Sequence, residues 1–185
     1  MKSILFTLLI IVGIGAIKKS DTKIDQLDNK HDHLYESISP MQTDTIPNTY
    51  PFQKTEAEWK EILTSTQYRI LRKKGTEIPY INDYYDLKDD GIYVCAGCGQ
   101  ELFDAQHKYK SGSGWPSFWK PINDSLVVEV EDRSFFMVRT EIVCSNCGGH
   151  IGHVFDDGPR PTGLRYCMNS AAMKFVARED VEPNK

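Results

Sequence analysis

Apolar residues fall into three regimes along the 185-residue chain. Behind Lys2, residues 4–17 form an uncharged apolar run with Gly13, Gly15 and Ala16 near its end and Lys18 and Lys19 beyond it. Positions 20–51 are polar and charged, with isolated Leu and Ile that cannot build a core face. The first run has the pattern of a signal sequence. Its 14 residues fall short of the roughly 20 that span a bilayer comfortably, which favours a cleavable segment, although the two closing lysines suit a retained anchor. No cysteine is present there to accept lipid. The pattern predicts a signal peptide or membrane anchor over 1–19, a flexible polar linker over 20–51, a folded domain over 52–178 and a tail over 179–185. It places the protein outside the cytoplasm, exported or tethered.

From Phe52 onward the periods become regular. Thr55 and Glu58 have the spacing of a capping box, and Trp59, Ile62 and Leu63 then share one helical face. A second helix is predicted over 67–74, stopped by Gly75, with basic residues in its last turn. Beyond Pro79 the pattern shifts to short β-rich runs at 91–95, 126–131, 135–144, 163–168 and 171–176, broken by Gly, Pro, Asp and Asn. Strands do not alternate with long helices, so the expected class is α+β, mostly β, with antiparallel pairing.

Charge and cysteine count narrow the function. With 22 basic and 26 acidic residues the net charge is -4, so no field draws the chain to nucleic-acid phosphates or anionic lipid. Of five cysteines, four fall into two Cys-x-x-Cys pairs, Cys95/Cys98 and Cys144/Cys147, and Cys167 is left over. Each pair is followed directly by glycine, in Cys98-Gly99 and Cys147-Gly148. Two such turns brought together supply four thiolates for one tetrahedral zinc, a closed structural site. The 45 residues between the pairs make that metal a staple for distant segments. Disulfides, which an exported location permits, and a redox Cys-x-x-Cys are the competing readings.

Cys167 lies in a predicted strand, where a lone cysteine is ordinarily a small buried hydrophobe. Its neighbours argue otherwise. On an extended chain Arg165, Cys167 and Asn169 point to one side, and a nearby cation favours thiolate over thiol. His150 and His153 follow the second cysteine pair directly; four thiolates leave them redundant as zinc ligands, and a buried structural role is the plain alternative for one of them. Trp115 sits in the Gly/Ser-rich stretch Ser111-Gly112-Ser113-Gly114-Trp115-Pro116-Ser117-Phe118, either as core or facing a site.

Together these motifs carry a specific resemblance. The paired Cys-x-x-Cys turns, Ser-Gly-x-Gly-Trp-Pro-Ser-Phe, Gly-His-x-Gly-His-Val-Phe-Asp-Asp-Gly-Pro and Arg-Tyr-Cys-x-Asn-Ser stand here in the order found in methionine-R-sulfoxide reductases of the B type. The likeness runs from about Thr55 to Val176. It implies two small antiparallel sheets with helices packed at the N-terminal side, one structural zinc, and reduction of the R epimer of methionine sulfoxide by nucleophilic attack of Cys167. The sulfoxide oxygen must be protonated to leave, so a proton donor has to face it, and His150 and His153 are the candidates. The resemblance further implies that His153, Asp157, Arg165 and Asn169 orient substrate or tune the thiolate and that Trp115 packs against the methyl on sulfur. Phe155, in the same stretch as the histidines, is a further candidate for substrate contact.

Recycling departs from the commonest family pattern. Many relatives carry a resolving cysteine where this chain has Ser113. With four thiols committed to metal, the Cys167 sulfenic acid is expected to be reduced by an external thiol such as a thioredoxin-like protein. The alternative class is a non-catalytic zinc module that binds a protein partner.

Overall fold

A computed structural model describes residues 49–134 and 137–181. The segment 1–19, nearly all of the linker and the end of the tail lie outside the described residues, so the expectations for them are not met with structure. Among the described residues no helix is long and apolar enough to cross a membrane.

Two short helices open the fold. In α1, Glu56–Ile62, the Thr55 hydroxyl accepts from the Glu58 N–H while the Glu58 carboxylate takes the Thr55 N–H at 2.7 Å, the capping box that the sequence predicts. The second helix, α2, Ser65–Lys73, begins earlier than its apolar period suggests, because Thr64 and Gln67 form a second box of the same kind. It stops at Lys74, which turns left-handed at φ 53° and closes the cap. Trp59, Leu63, Ile70 and Leu71 face inward.

Among the described residues nine strands follow: β1 Gly91–Cys95, β2 Glu101–Asp104, β3 Lys108–Tyr109, β4 Ser117–Phe118, β5 Val127–Asp132, β6 Arg139–Cys144, β7 His150–Phe155, β8 Arg165–Met168 and β9 Met173–Ala177. They make a three-stranded sheet ordered β2-β1-β9 and a six-stranded sheet ordered β3-β4-β8-β7-β6-β5, with every described pairing antiparallel. The α+β, two-sheet expectation holds. All five predicted strands exist, with ends moved by one to a few residues: β6 begins at Arg139, and 170–172 form a 3-10 turn ahead of β9.

Four strands were not foreseen. β2 is short and flanked by acidic residues, while β3 and β4 are two residues each, below the length at which alternation can be read. In β7, Gly152 and two histidines replace the β-branched residues that usually mark a strand. Tertiary pairing supplies what its own propensity does not.

The core lies where the two sheets and the helix pair meet. Tyr93 of β1 sets its ring edge-on to Phe118 at 5.0 Å and to Phe175 at 5.3 Å, and Phe118 stacks on Phe103 at 4.6 Å. Phe103 and Phe118 are wholly buried, so aromatic area from both sheets is removed from water at one seam. Gly152 lets β7 and β8 approach: a Cβ there would run into the Cys167 carbonyl and come within 2.9 Å of Met168 Cα. Backbone cannot yield as a flexible side chain does. Gly152→Ala is therefore expected to destabilise the domain by about 1–3 kcal/mol through overpacking and to displace Cys167. Thermal unfolding followed by circular dichroism checks this, and an unchanged midpoint would refute it.

Candidate active site and metal cluster

At the base of the fold, Cys95 ends β1 and Cys144 ends β6. Each opens a tight turn: Gly99 N–H donates to Cys95 O and Gly148 N–H to Cys144 O, with Gly99 at φ 79° and Gly148 at φ 66°. Only glycine takes those angles without strain, and the turns swing Cys98 and Cys147 back over the same point. Cys95 and Cys147 sulfurs stand 3.6 Å apart, as do Cys98 and Cys144, and all four lie within 4.8 Å of one another. A disulfide needs about 2.05 Å, so these are not disulfides. Sulfurs at the corners of a tetrahedron with metal bonds of about 2.3 Å stand roughly 3.8 Å apart, which fits a divalent ion.

Hydrogen bonding among the sulfurs, with burial added, holds Cys95, Cys144 and Cys147 toward the protonated form, while hydrogen bonding from Cys144, Cys147 and Cys95 pushes Cys98 down toward thiolate. Gln100, unremarked in the sequence, donates to the Cys144 sulfur at 3.4 Å and to Ser145 Oγ at 3.0 Å. Arg72 of α2 lies over the Trp59 ring and donates to Cys147 O, so the helix pair caps the cluster.

Twenty residues on, the register of the larger sheet assembles the second site. Tyr109 opposes Ser117, Ser117 opposes Cys167, Cys167 opposes His153, and His153 opposes Glu141. Directly opposed residues of antiparallel strands share a face, so one transverse row runs Tyr109, Ser117, Cys167, His153, Glu141 across five strands. Cys167 and His153 line a cavity of about 130 Å³ together with Trp115, Phe155, Asn169 and Arg139, and with Thr76 at its edge.

Each predicted residue now has a place. His153 donates from Nε2 to Asp132 at 2.9 Å; burial lowers its pKa more than this partner raises it, so the ring is neutral at neutral pH. Arg139 also holds Asp132, at 2.7 Å. His150 does not line the cavity: it is buried, donates from Nδ1 to Glu141 at 2.8 Å, and stacks edge-on to His153 at 5.3 Å, while its Nε2 has no partner among the described residues. Glu141 is itself 1% exposed and takes a second bond from Lys74 at 2.7 Å.

Arg165 grips Asp157 with two bonds of 2.8 and 2.9 Å and lies 4.3 Å over the Phe155 ring. The Asp157 contact, first of all, raises the Arg165 pKa, and the sulfur of Cys167 adds to it, so a fixed positive charge stands beside the thiol. Neither Asp157 nor Arg165 lines the cavity, and Asp157 is joined to its surroundings there by its bonds to Arg165. Asn169 is buried, with its amide oxygen accepting from Glu77 N–H and its Nδ2 donating to Ile151 O. Ser113 Oγ lies 3.6 Å from the Cys167 sulfur, within a cluster that joins Ser111 and Ser117.

Sequence reading missed Asp132, Arg139, Glu141, Thr76 and Glu77. Glu141 alone left a trace, a carboxylate opening an otherwise apolar Ile-Val-Cys run. The others depend on cross-strand pairing or on a loop closing over the sheet.

Comparison with known proteins bears on this arrangement. A family model, the SelR domain, matches residues 63–177. The chain is 58% identical over 126 residues to a peptide methionine sulfoxide reductase MsrB of Leptospira interrogans serogroup Icterohaemorrhagiae serovar Lai, covering 68% of this chain and 96% of that protein. It is 55% identical over 123 residues to the protein of the same name from Hahella chejuensis, covering 66% and 88%. A third, from Methanosarcina mazei, is 53% identical over 133 residues, covering 72% and 95%.

The carboxylates behind the two histidines make stability depend on acid. Hydrogen bonds from Ser134 and His153 hold the Asp132 pKa far below the usual range. For Glu141, burial pulls the pKa up, but bonds from His150 and Lys74 outweigh it and leave it lowered. A carboxylate whose folded pKa is depressed contributes fully above its unfolded value of about 4 and loses that contribution as pH falls through the folded value. Glu141→Gln, which takes the charge from a buried carboxylate bonded to His150 and to the exposed Lys74, should cost about 1–3 kcal/mol at pH 7. Urea titrations at pH 7 and below about pH 4 should show the gap to wild type narrowing in acid; a constant gap would refute the assignment.

Proposed function

The chain belongs to the SelR-domain family of peptide methionine sulfoxide reductases, B type, and from that premise we propose which of its residues perform the reaction and how. It is an enzyme that reduces methionine-R-sulfoxide to methionine. The observation that carries the residue assignment is the sulfur of Cys167 at a cavity walled by an indole, a half-buried imidazole and a guanidinium.

Cys167, as thiolate beside the Arg165 charge, attacks the sulfoxide sulfur. His153 is the cavity's imidazole; neutral at rest, it must first take up a proton, and its lowered pKa makes the charged ring a strong acid toward the sulfoxide oxygen. Asp132 stabilises that charged ring and fixes its tautomer. One proton and the thiolate convert the sulfoxide to the thioether, and the oxygen ends on Cys167 as a sulfenic acid: carbon-bound sulfur gains two electrons and cysteine sulfur loses two. Trp115 walls the space for the S-methyl group, so methyl and oxygen take opposite sides for one epimer. His150 and Glu141 support His153 from behind, and Asn169 holds the chain end of β8 while lining the cavity.

An external thiol then restores Cys167. It attacks the sulfenic sulfur, releasing water and forming a mixed disulfide, and a second thiol displaces Cys167 as thiol. A thioredoxin-like dithiol in the same compartment fits this step. Ser113 supports it, since the hydroxyl beside Cys167 cannot form a disulfide. The apolar run at 4–17 followed by a polar stretch supports export or tethering of the domain, with oxidised protein as its substrate. The contacts of Phe52 N–H with Asn146 O support a domain that begins near residue 52. A non-catalytic binding module would leave the Cys167 cavity without a task and is not favoured.

Zinc, one ion per chain, is the metal we assign to Cys95, Cys98, Cys144 and Cys147. The four sulfurs and their spacing support it, and with all four positions filled the ion serves the fold and not the reaction.

Cys167→Ser should abolish turnover of methionine-R-sulfoxide while the far-ultraviolet spectrum and metal content stay unchanged, and mass spectrometry of the wild-type protein after substrate without reductant should find oxygen on Cys167. Persistent turnover, or an internal disulfide at Cys167, sinks the mechanism. Purified protein should also carry one zinc by elemental analysis. Stripping it with a chelator should unfold the domain, because binding free energies of about 10–16 kcal/mol in such sites are folding free energy.

A further inference from the structure

One half-buried acid remains outside this mechanism. Glu77 lies between α2 and β1, and its four hydrogen bonds go to two segments that both contribute to the cavity, the loop of Trp115 and residues 169–171. Its N–H donates to Asn169 Oδ1 at 3.0 Å, and its carbonyl accepts from the Trp115 indole at 3.2 Å. Its carboxylate accepts from Ser170 N–H at 2.5 Å and from Ala171 N–H at 3.0 Å. Neighbouring Thr76 lines the cavity. The partners are 38 to 94 residues away in sequence, so no local turn requires this arrangement.

We propose that Glu77 is a specificity-determining positioning residue, whose carboxylate fixes the spacing between the Trp115 indole and the Cys167 sulfur and so sets how large a group on the sulfoxide sulfur the cavity accepts. The inference rests on Cys167 as nucleophile and Trp115 as the wall for the S-methyl group. The Trp115 side chain is tied to the Glu77 backbone. That backbone is in turn tied, through the Glu77 side chain, to residues 170 and 171, which follow the Cys167 strand directly. Wall and nucleophile thus share one anchor.

The choice of residue type supports a demand for exact placement over mere adhesion. Burial pushes the Glu77 pKa up, against the pull of the Ala171 and Ser170 amides, so an ionised carboxylate here is a net electrostatic burden. An apolar side chain could fill the same space with no such penalty. A carboxylate instead presents two acceptors in a fixed fork to two successive N–H groups, which defines position and direction together. A contact of that kind resists sliding, as packing alone does not.

The test uses the full, metal-loaded chain and two substrates, N-acetylmethionine-R-sulfoxide and its S-ethyl homologue. In wild type the methyl substrate should be strongly preferred in kcat/KM. In Glu77→Ala, with both amides released, the methyl-to-ethyl preference should fall by roughly tenfold, the range that one methylene is worth in an apolar pocket. Glu77→Gln, which keeps one acceptor, should lie between. Equal losses on both substrates, with the preference intact, would make Glu77 an ordinary scaffold residue and overturn the proposal. So would failure of both variants to fold. A wild-type enzyme inactive on both substrates would instead condemn the reading of Cys167 and Trp115, and the inference with it.

Discussion

Four sulfurs brought to one point hold this domain together. Cys95 and Cys98 belong to the smaller sheet's end, Cys144 and Cys147 to the larger sheet's, and Gln100 adds a further tie between the two ends through its bonds to Cys144 and Ser145. The aromatic seam of Tyr93, Phe103 and Phe118 keeps the sheets face to face, but apolar packing is non-directional and tolerates sliding. A tetrahedron of thiolates around an ion does not. The helix pair adds to the same constraint, with Trp59 and Arg72 laid over the cluster, so elements from residue 59 to residue 147 converge on it. For a domain of this size, four cysteines placed to hold a metal ion can supply rigidity that a small core gives sparingly.

From that fixed base the larger sheet runs outward, and its register does the rest. β6 and β7 are joined through the Cys144/Cys147 turn, so the cysteine end of the hairpin sets which residue of β7 meets which residue of β6. His153 then meets Glu141, and across β8 and β4 the row continues to Cys167 and Ser117. Because successive side chains alternate between faces, a slip of one position would turn His153 to the core side and Val154 to the cavity. The structural cluster and the reactive row are chemically separate. They are geometrically one device, since the first determines the alignment of the second.

The polar groups buried around Cys167 follow a consistent logic. Glu141, Ser117, Asn169, Ser170 and His150 are all among the most buried residues of the chain, an unusual concentration in a core that is otherwise apolar. All but the His150 Nε2 are satisfied by named partners, many of them backbone amides and carbonyls from distant segments. Burying such groups lowers stability unless each finds its bond, so their collection at one place marks where position matters more than cohesion. Asp157 and Arg165 show the complementary case at the rim: the pair is fixed to Phe155 and leaves its charge beside the sulfur without entering the cavity.

The reading of residue types along the chain reached the class, both helices, five strands, the four sulfur ligands and the lone thiol, because each rests on local spacing: a capping box, an alternation, a Cys-x-x-Cys turn followed by glycine. Cys167, His153, Trp115, Phe155 and Asn169 were legible through motifs of the same short range. The strand formed by His150–Phe155 was not, since its residues have little strand propensity and are held extended only by β6 and β8. Asp132, Arg139 and Glu77 were beyond reach for the same reason, since nothing within a few residues of each says what it will face, and Glu141 showed only as a carboxylate opening an apolar run. The division between the two histidines, one at the cavity and one behind it, also came only with the fold, three residues on a twisted strand being enough to send two rings into different surroundings. Sequence alone determined which chemistry the chain carries; tertiary structure decided which groups meet, because meeting depends on register and loop closure between segments tens of residues apart.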